Sequence, residues 1–266
     1  MERSVVDETL GLQPDAQPAN TEEMARKWAA QFTTGWESRH VHYGVDETGP
    51  GGAYVNEAAV QVGGFDFSVW NGLGLGNDFL EWDFTAAYEI AVGPVFVIPG
   101  YNFRYFPARS ETGGESQAHE EHGEEEEQHE EEAEPHSGHA HNTHGNELFV
   151  SFGTTAVPYV IPSANFIWDL NNNPGGFLEL RLDGDIPAYK DVVNLQPYAL
   201  LGLNFGYNTS DYYGWNNFQF GGQVTCRICK WLSVFAGVNY SVALEALQQT
   251  GQENVAWANV GLNFAY

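Results

Sequence analysis

The chain lacks long hydrophobic runs: no stretch of about 18 apolar residues occurs in its 266 positions. That excludes a membrane-spanning helix but not a barrel, whose strands need only about 10 alternating residues each. Basic residues are scarce as well, with ten Lys and Arg against 36 Asp and Glu and a formal charge of −26. A surface of that sign excludes nucleic acid as a partner. Cysteine is limited to the two residues of Cys226-Arg227-Ile228-Cys229. A redox pair requires a helix starting after a strand and a zinc site requires a second pair; neither context surrounds these residues. They are read as structural, with or without a local disulfide at a turn. G-x-S-x-G and H-E-x-x-H are both missing. Ser38, His40 and His42 lie two apart on one predicted strand and cannot supply nucleophile, base and orienting group together. No enzyme is expected, and these residues read as a polar and aromatic rim. No apolar secretory core follows Met1-Glu2-Arg3-Ser4, so a processed, trimmed or miscalled start is expected.

What the chain does contain is glycine and aromatic side chains, 30 Gly with 17 Phe, 13 Tyr and 8 Trp, the composition of short strands, tight turns and aromatic belts. Residues 1–31 read as a periplasmic leader, irregular with a short helical stretch near Thr21 to Trp28. From Phe32 the period becomes two. Leu80, Trp82, Phe84, Ala86 and Tyr88 alternate with Glu81, Asp83, Thr85 and Ala87, and Leu178, Leu180 and Leu182 alternate with Glu179, Arg181 and Asp183. An oily row facing lipid and a polar row facing a water-filled lumen explain this pattern. A packed soluble core would leave those charges without partners.

Turns placed at the Gly, Pro and Asn clusters predict strands near 32–43, 54–62, 65–75, 79–91, 94–106, 147–156, 158–169, 176–186, 195–207, 216–228, 231–243 and 254–266. The fold class is therefore an all-β transmembrane antiparallel barrel of about twelve strands, with ten as the alternative count. The segment 158–169 is the weakest strand, because Pro158 and Pro162 remove ladder donors.

The predicted lumen carries Glu37, Arg39, Glu57, Asp66, Glu81, Asp83, Glu89, Arg104, Glu147, Glu179, Arg181, Asp183, Asp185 and Arg227. Acids outnumber bases among them, so an open lumen would favour cations, whereas a plugged one would pair these charges across the barrel.

One segment breaks the pattern. Residues 107–146 hold twelve of the acidic residues against the single base Arg109, and seven of the nine His: His119, His122, His129, His136, His139, His141 and His144. So little apolar material implies disorder. Counting connections from a periplasmic start makes this the fifth, hence extracellular, where barrels carry long loops. Its imidazoles suit loosely held zinc, copper or nickel near neutral pH; the alternative is a solvated acidic brush. No cofactor is obligatory.

The final eight residues, Asn259 to Tyr266, read polar, any, Gly, any, any, aromatic, any, aromatic. This resembles the C-terminal signal recognised by the outer-membrane assembly machinery, with Asn259, Gly261, Phe264 and Tyr266 as its marks. Further motifs resemble the uncharacterised bacterial Gcw_chp family: Ser38-Arg39-His40-Val41-His42-Tyr43-Gly44-Val45, then Gln61-Val62-Gly63-Gly64-Phe65-Asp66-Phe67, then Leu80 to Tyr88, and later Gly176-Phe177-Leu178-Glu179-Leu180. The likeness covers most of residues 32–266, with the His/Glu segment as an extra. In the opening motif Tyr43 stands where the family usually has Arg, and His40 where it has Tyr. The resemblance implies an outer-membrane β-barrel and says little of substrate. Its expected partners are outer-membrane lipids, the assembly machinery and small solutes. The expected role is a narrow passive channel leaning toward cations with a metal-sequestering outer loop, the alternative being a nonconducting surface metal-binding or structural barrel.

Overall fold

The computed structural model describes residues 28–76, 78–107, 144–171, 174–190, 192–209 and 212–266. Twelve long strands form the wall: β1 (Trp28–Glu37), β2 (Ala53–Val62), β3 (Phe65–Gly74), β4 (Leu80–Tyr88), β5 (Val95–Tyr105), β6 (His144–Thr154), β7 (Val160–Asp169), β8 (Gly175–Gly184), β9 (Val193–Phe205), β10 (Tyr213–Cys229), β11 (Leu232–Ala243) and β12 (Val255–Ala265). Each pairs antiparallel with the next; Phe177↔Asn204 through Asp183↔Tyr198 join β8 to β9. Gln31↔Ala265 through Glu37↔Asn259 join β1 to β12. The sheet therefore closes, and no strand edge is left to seek partners in hydrocarbon.

The two faces sort by parity as the period of two requires. On β4, Glu81 and Asp83 are buried while Trp82 and Phe84 are exposed. On β8, Glu179 and Asp183 are buried while Leu180 and Leu182 lie on the outer surface. Aromatic rings gather at both ends of the outer face. Trp28 stacks on Tyr266 and Trp231 on Phe264 beside the chain ends, and Tyr54, Trp82, Tyr105 and Trp215 are exposed at the opposite end. Two such girdles bracket an apolar band in outer-membrane barrels. The longest described connection, residues 38–52, lies at the end away from the termini.

Most predicted strands lie within two or three residues of the observed ones. The first does not: β1 begins at Trp28, ahead of the predicted Phe32, and stops at Glu37. Residues 38–52 leave the wall and fold back over the barrel mouth, with a two-rung hairpin of Val41–His42 and Val45–Asp46. Positive φ at Tyr43 (45°) and Gly44 (81°) makes that reversal. β10 starts at Tyr213, three residues before the predicted 216. The doubtful strand is complete: β7 pairs with β8 along its whole length, and Pro162 sits one residue beyond its ladder with β6, which starts at Ser163. The cysteines lie at the end of β10 beside the tenth connection, and both thiols are free. The leader residues 1–27 and the His/Glu tract 108–143 lie outside the described residues.

The seam explains Gly261. A Cβ there would stand 2.5 Å from the Thr34 carbonyl oxygen and collide with the Phe235 ring. Gly261→Val should destabilise the barrel by about 1–3 kcal/mol, read as a lower temperature for loss of the compact band in heat-modifiability gels. Ala265→Val, exposed where β12 ends, should leave that temperature unchanged.

Candidate functional site

The outer half of the lumen is organised around one arginine. Among the described residues, nine carboxylates are buried (Glu37, Glu57, Asp66, Glu81, Asp83, Glu147, Asp169, Glu179 and Asp183), against two buried bases, Arg104 and His40. β5 aims Arg104 inward between β4 and β6. Its Nη2 lies 2.5 Å and its Nε 2.6 Å from Glu81 Oε1. Nη1 lies 3.5 Å from Glu147 Oε1 and donates to the Tyr207 hydroxyl at 3.3 Å. Asp83 and Glu47 each approach the guanidinium at 3.9 Å. Tyr207 in turn donates to Glu147, and Asn102 Nδ2 donates to Glu147 at 3.1 Å. One planar fork thus serves four carboxylates, a task for which a point-charge lysine is less suited.

Above this cluster lies the loop 38–52. His40 stacks on Trp70 and reaches Phe79, both at 5.1 Å between ring centroids. His42 contacts Tyr43 at 3.9 Å, and Tyr43 packs on Phe177 at 4.7 Å and Tyr207 at 5.1 Å. A row of rings therefore crosses the mouth from β3 to β8. The loop is pinned at its turn, where the Tyr43 carbonyl accepts hydrogen bonds from Asn216 at 2.8 Å and Asn208 at 3.1 Å. Asp46 N–H donates to Gln252 at 3.3 Å, and His40 N–H donates to Thr48 at 2.7 Å.

The two histidines are held in opposite states. Burial opposes charging His40, but the hydrogen bond to Glu37 and the charges of Glu37, Glu47 and Glu81 outweigh it and raise its pKa to about 9. Burial and then the nearby Arg104 and His40 push His42 well below the usual range, keeping it neutral. Burial and the neighbouring Glu81 carboxylate push Glu47 upward.

Beneath the loop is a cavity of about 110 Å³, bounded by His42, Tyr43, Asp83, Glu147, Glu179 and Arg181 among others. At about 10–15 Å³ for one water, it has room for several. Another part of the lumen is held by neutral groups: Gln223 donates to Gln196 at 3.3 Å, Thr225 donates to Gln196 at 2.9 Å, and Asn259 donates to Gln223 at 3.3 Å.

The structure brings together Glu81, Asp83, Arg104 and Glu147 of the predicted lumen set, and pairs Arg181 with Asp183 at 2.7 Å. Glu57 and Asp66 face inward on β2 and β3, and Glu37 holds His40. Four predicted members stand elsewhere. Arg39 is on the loop, paired with Asp46, because the strand ends before it. Asp185 is at the rim of a short turn, accepting from Asn194 at 2.5 Å; Glu89 and Arg227 are half-buried at that same end. Of the predicted metal ligands, His119, His122, His129, His136, His139 and His141 lie outside the described residues. His144 does not belong to the tract: it opens β6 opposite Tyr105, on the outer face against Phe103. Its assignment as a loop ligand is corrected. Of the terminal marks, Asn259 faces the lumen, Gly261 underlies Phe235, and Phe264 and Tyr266 belong to the aromatic girdle. Sequence reasoning missed Glu47, in a connection without periodicity, and Tyr207, which closes the predicted strand 195–207 but lies beyond the end of β9 at Phe205. The available signal was Tyr43-Gly44, a turn-forming pair within an apparent strand.

No family model matches the chain, and no curated protein matches it. Among solved structures it is similar to the NanC porin, with a TM-score of 0.52, 11% identity, and coverage of 88% of this chain and 98% of that one. It is similar also to the KdgM porin, with a TM-score of 0.50, 7% identity, and coverage of 90% and 99%. At these identities the likeness establishes the fold, that of an outer-membrane barrel.

Arg104→Met should cost about 3–5 kcal/mol, because it strands buried carboxylates whose partner is gone. Arg104→Lys should recover only part of that loss. Urea unfolding of the detergent-folded barrel measures both; equal stability of Arg104→Met and the parent would remove Arg104 from the centre of the lumen.

Proposed function

We propose that this barrel is a narrow passive channel of the bacterial outer membrane for small, cation-leaning solutes, with its outer mouth gated by the loop 38–52. The observation that carries the reading is the surplus of buried carboxylates around the cavity beneath the loop. Such a lumen concentrates cations by its local potential and repels anions. The porin folds it resembles support the same reading at the level of architecture. A second reading, a nonconducting surface metal-binding or structural barrel, is favoured by the ring row across the mouth. The terminal octad serves the assembly machinery in either case, and the motif likeness to the Gcw_chp family is retained as part of this proposal.

Asp83→Asn with Glu179→Gln removes two cavity charges while leaving Glu81 and Glu147 on Arg104. In planar bilayers under a salt gradient this pair should shift the reversal potential toward lower cation preference, and Tyr43→Ala should raise unit conductance. An unchanged reversal potential in a folded, conducting pair would reject the charge assignment. A parent barrel that folds yet never conducts would support the second reading.

The His/Glu tract is proposed to hold zinc, copper or nickel weakly at several positions, since a tract so poor in apolar residues would spend ordering entropy on each ion bound. Deleting residues 112–142 spares His144 and every wall strand. The deleted protein should stay heat-modifiable while losing most low-affinity metal uptake in calorimetric titration at pH 7. Unchanged low-affinity uptake would leave the tract a charged brush.

A further inference from the structure

We propose that His40, Glu47 and Glu81 form a binding site for one divalent metal ion of the zinc type, tying the loop 38–52 to the barrel wall. Each residue offers one ligand atom, and these atoms lie within 4.8 Å of one another. A second observation is independent of that spacing. The side chains of His40 and Glu81 are each only 1% exposed, yet His40 Nε2 and Glu81 Oε2 have no hydrogen-bond partner. Buried polar atoms left in that state cost about 1–3 kcal/mol apiece, and an ion between them would satisfy both.

The geometry around His40 is that of a prepared ligand. Its Nδ1 lies 3.3 Å from Glu37 Oε2, and a carboxylate on the far nitrogen is the usual means of orienting a ligating imidazole. That contact leaves Nε2 as the nitrogen available to an ion. Trp70 and Phe79 fix the plane of the ring. On the wall, Glu81 commits Oε1 to Arg104 at 2.5 Å and keeps Oε2 uncommitted.

Charge and donor chemistry select the ion. Glu37, Glu47, Glu81, Asp83 and Glu147 surround this region with Arg104 as their one guanidinium, so a divalent cation reduces an anionic surplus that a water molecule would leave intact. One imidazole and two carboxylates are a zinc-type donor set, whereas calcium and magnesium favour six or more oxygens. Zinc bonds of about 2.0–2.2 Å in a tetrahedron place ligand atoms roughly 3.3–3.6 Å apart, so the three must draw inward on binding. Glu47, 24% exposed on the loop, has the freedom to do so. The fourth position is left for solvent. The inference is independent of conduction and of the His/Glu tract, since all three ligands belong to the described loop and wall.

Cobalt(II) titration of the full chain, folded in detergent and followed by visible absorption, tests it. One tight step with the strong bands of four-coordinate cobalt is expected, displaced by zinc, ahead of any weak uptake by the tract. His40→Gln and Glu47→Gln should abolish the tight step, and Glu37→Gln should weaken it roughly 10–100-fold. Glu81→Gln also strips Arg104 of its nearest partner and can compromise folding, so Glu47→Gln, a change on the half-buried loop, carries the test. A parent protein without a tight step, or one whose tight step survives unchanged in both His40→Gln and Glu47→Gln, would overturn the site.

Discussion

Hydrocarbon offers a strand no hydrogen-bond partner, and the rest of this structure follows from that constraint. Every backbone N–H and C=O in the apolar band must find another strand, so the first must meet the last. Here the meeting is the run of pairs from Gln31↔Ala265 to Glu37↔Asn259. Closure turns one face of the sheet into an enclosed interior, and twelve strands make that interior narrow enough for side chains to reach one another across it. Inward residues are consequently never simply solvated. They need partners: amide and hydroxyl groups around Gln196 and Gln223 serve one another, Arg181 serves Asp183, and Arg104 serves a cluster of carboxylates.

The lumen has a specific charge imbalance. Among the described residues, nine carboxylates are buried with Arg104 and His40 as the buried bases, and ionised carboxylates are costly where water is scarce. Three devices reduce that cost. Arg104 distributes its donors over several acids, Asn102 and Tyr207 bring neutral donors to Glu147, and His40 supplies an imidazole beside Glu37. The third comes from the loop and not from the wall. The inward fold of residues 38–52 is thus an electrostatic complement to the barrel as well as a cover, and its two histidines divide the work, one drawn toward the charged state by carboxylates and the other held neutral beside Arg104.

Period two made the wall readable because lipid and lumen impose opposite polarity at each step along a strand. Glu81 against Trp82, and Asp183 against Leu182, announce their faces without any knowledge of neighbours. The same rule failed at the end of β1. The face that Glu37 ends is carried on in the sequence by Arg39, a residue that has already left the sheet, and what bends the chain there is not local. The Tyr43 carbonyl is captured by Asn208 and Asn216, more than 160 residues further along the chain, and the His40 ring is received by Trp70 and Phe79. Glu47 was illegible for a related reason: a connection has no period, so nothing in its sequence says whether it turns outward or in. Tyr207 was hidden because the alternation of 195–207 runs past the point where β9 ends. Pro162 illustrates the opposite case. A missing donor suggested a weak strand, yet its position just past the β6 ladder makes the loss harmless.

Whether such a barrel conducts is decided less by its strands than by how firmly the loop is held. Two amide hydrogen bonds reach the Tyr43 carbonyl and a third joins Asp46 to Gln252, each contributing about 0.5–1.5 kcal/mol net. The ring contacts of His40 and Tyr43 add about 0.5–1.5 kcal/mol for a good pair. Together these give a hold of several kcal/mol, and each 1.4 kcal/mol lowers the open population tenfold. If the loop acts as the gate proposed above, a latch of that strength would be closed most of the time yet reversible, unlike a plug built from strand pairing. Each additional tie between loop and wall multiplies the closed population instead of creating it. A single metal ion shared by His40, Glu47 and Glu81 would act in this way, coupling loop position to the metal content of the medium outside the barrel.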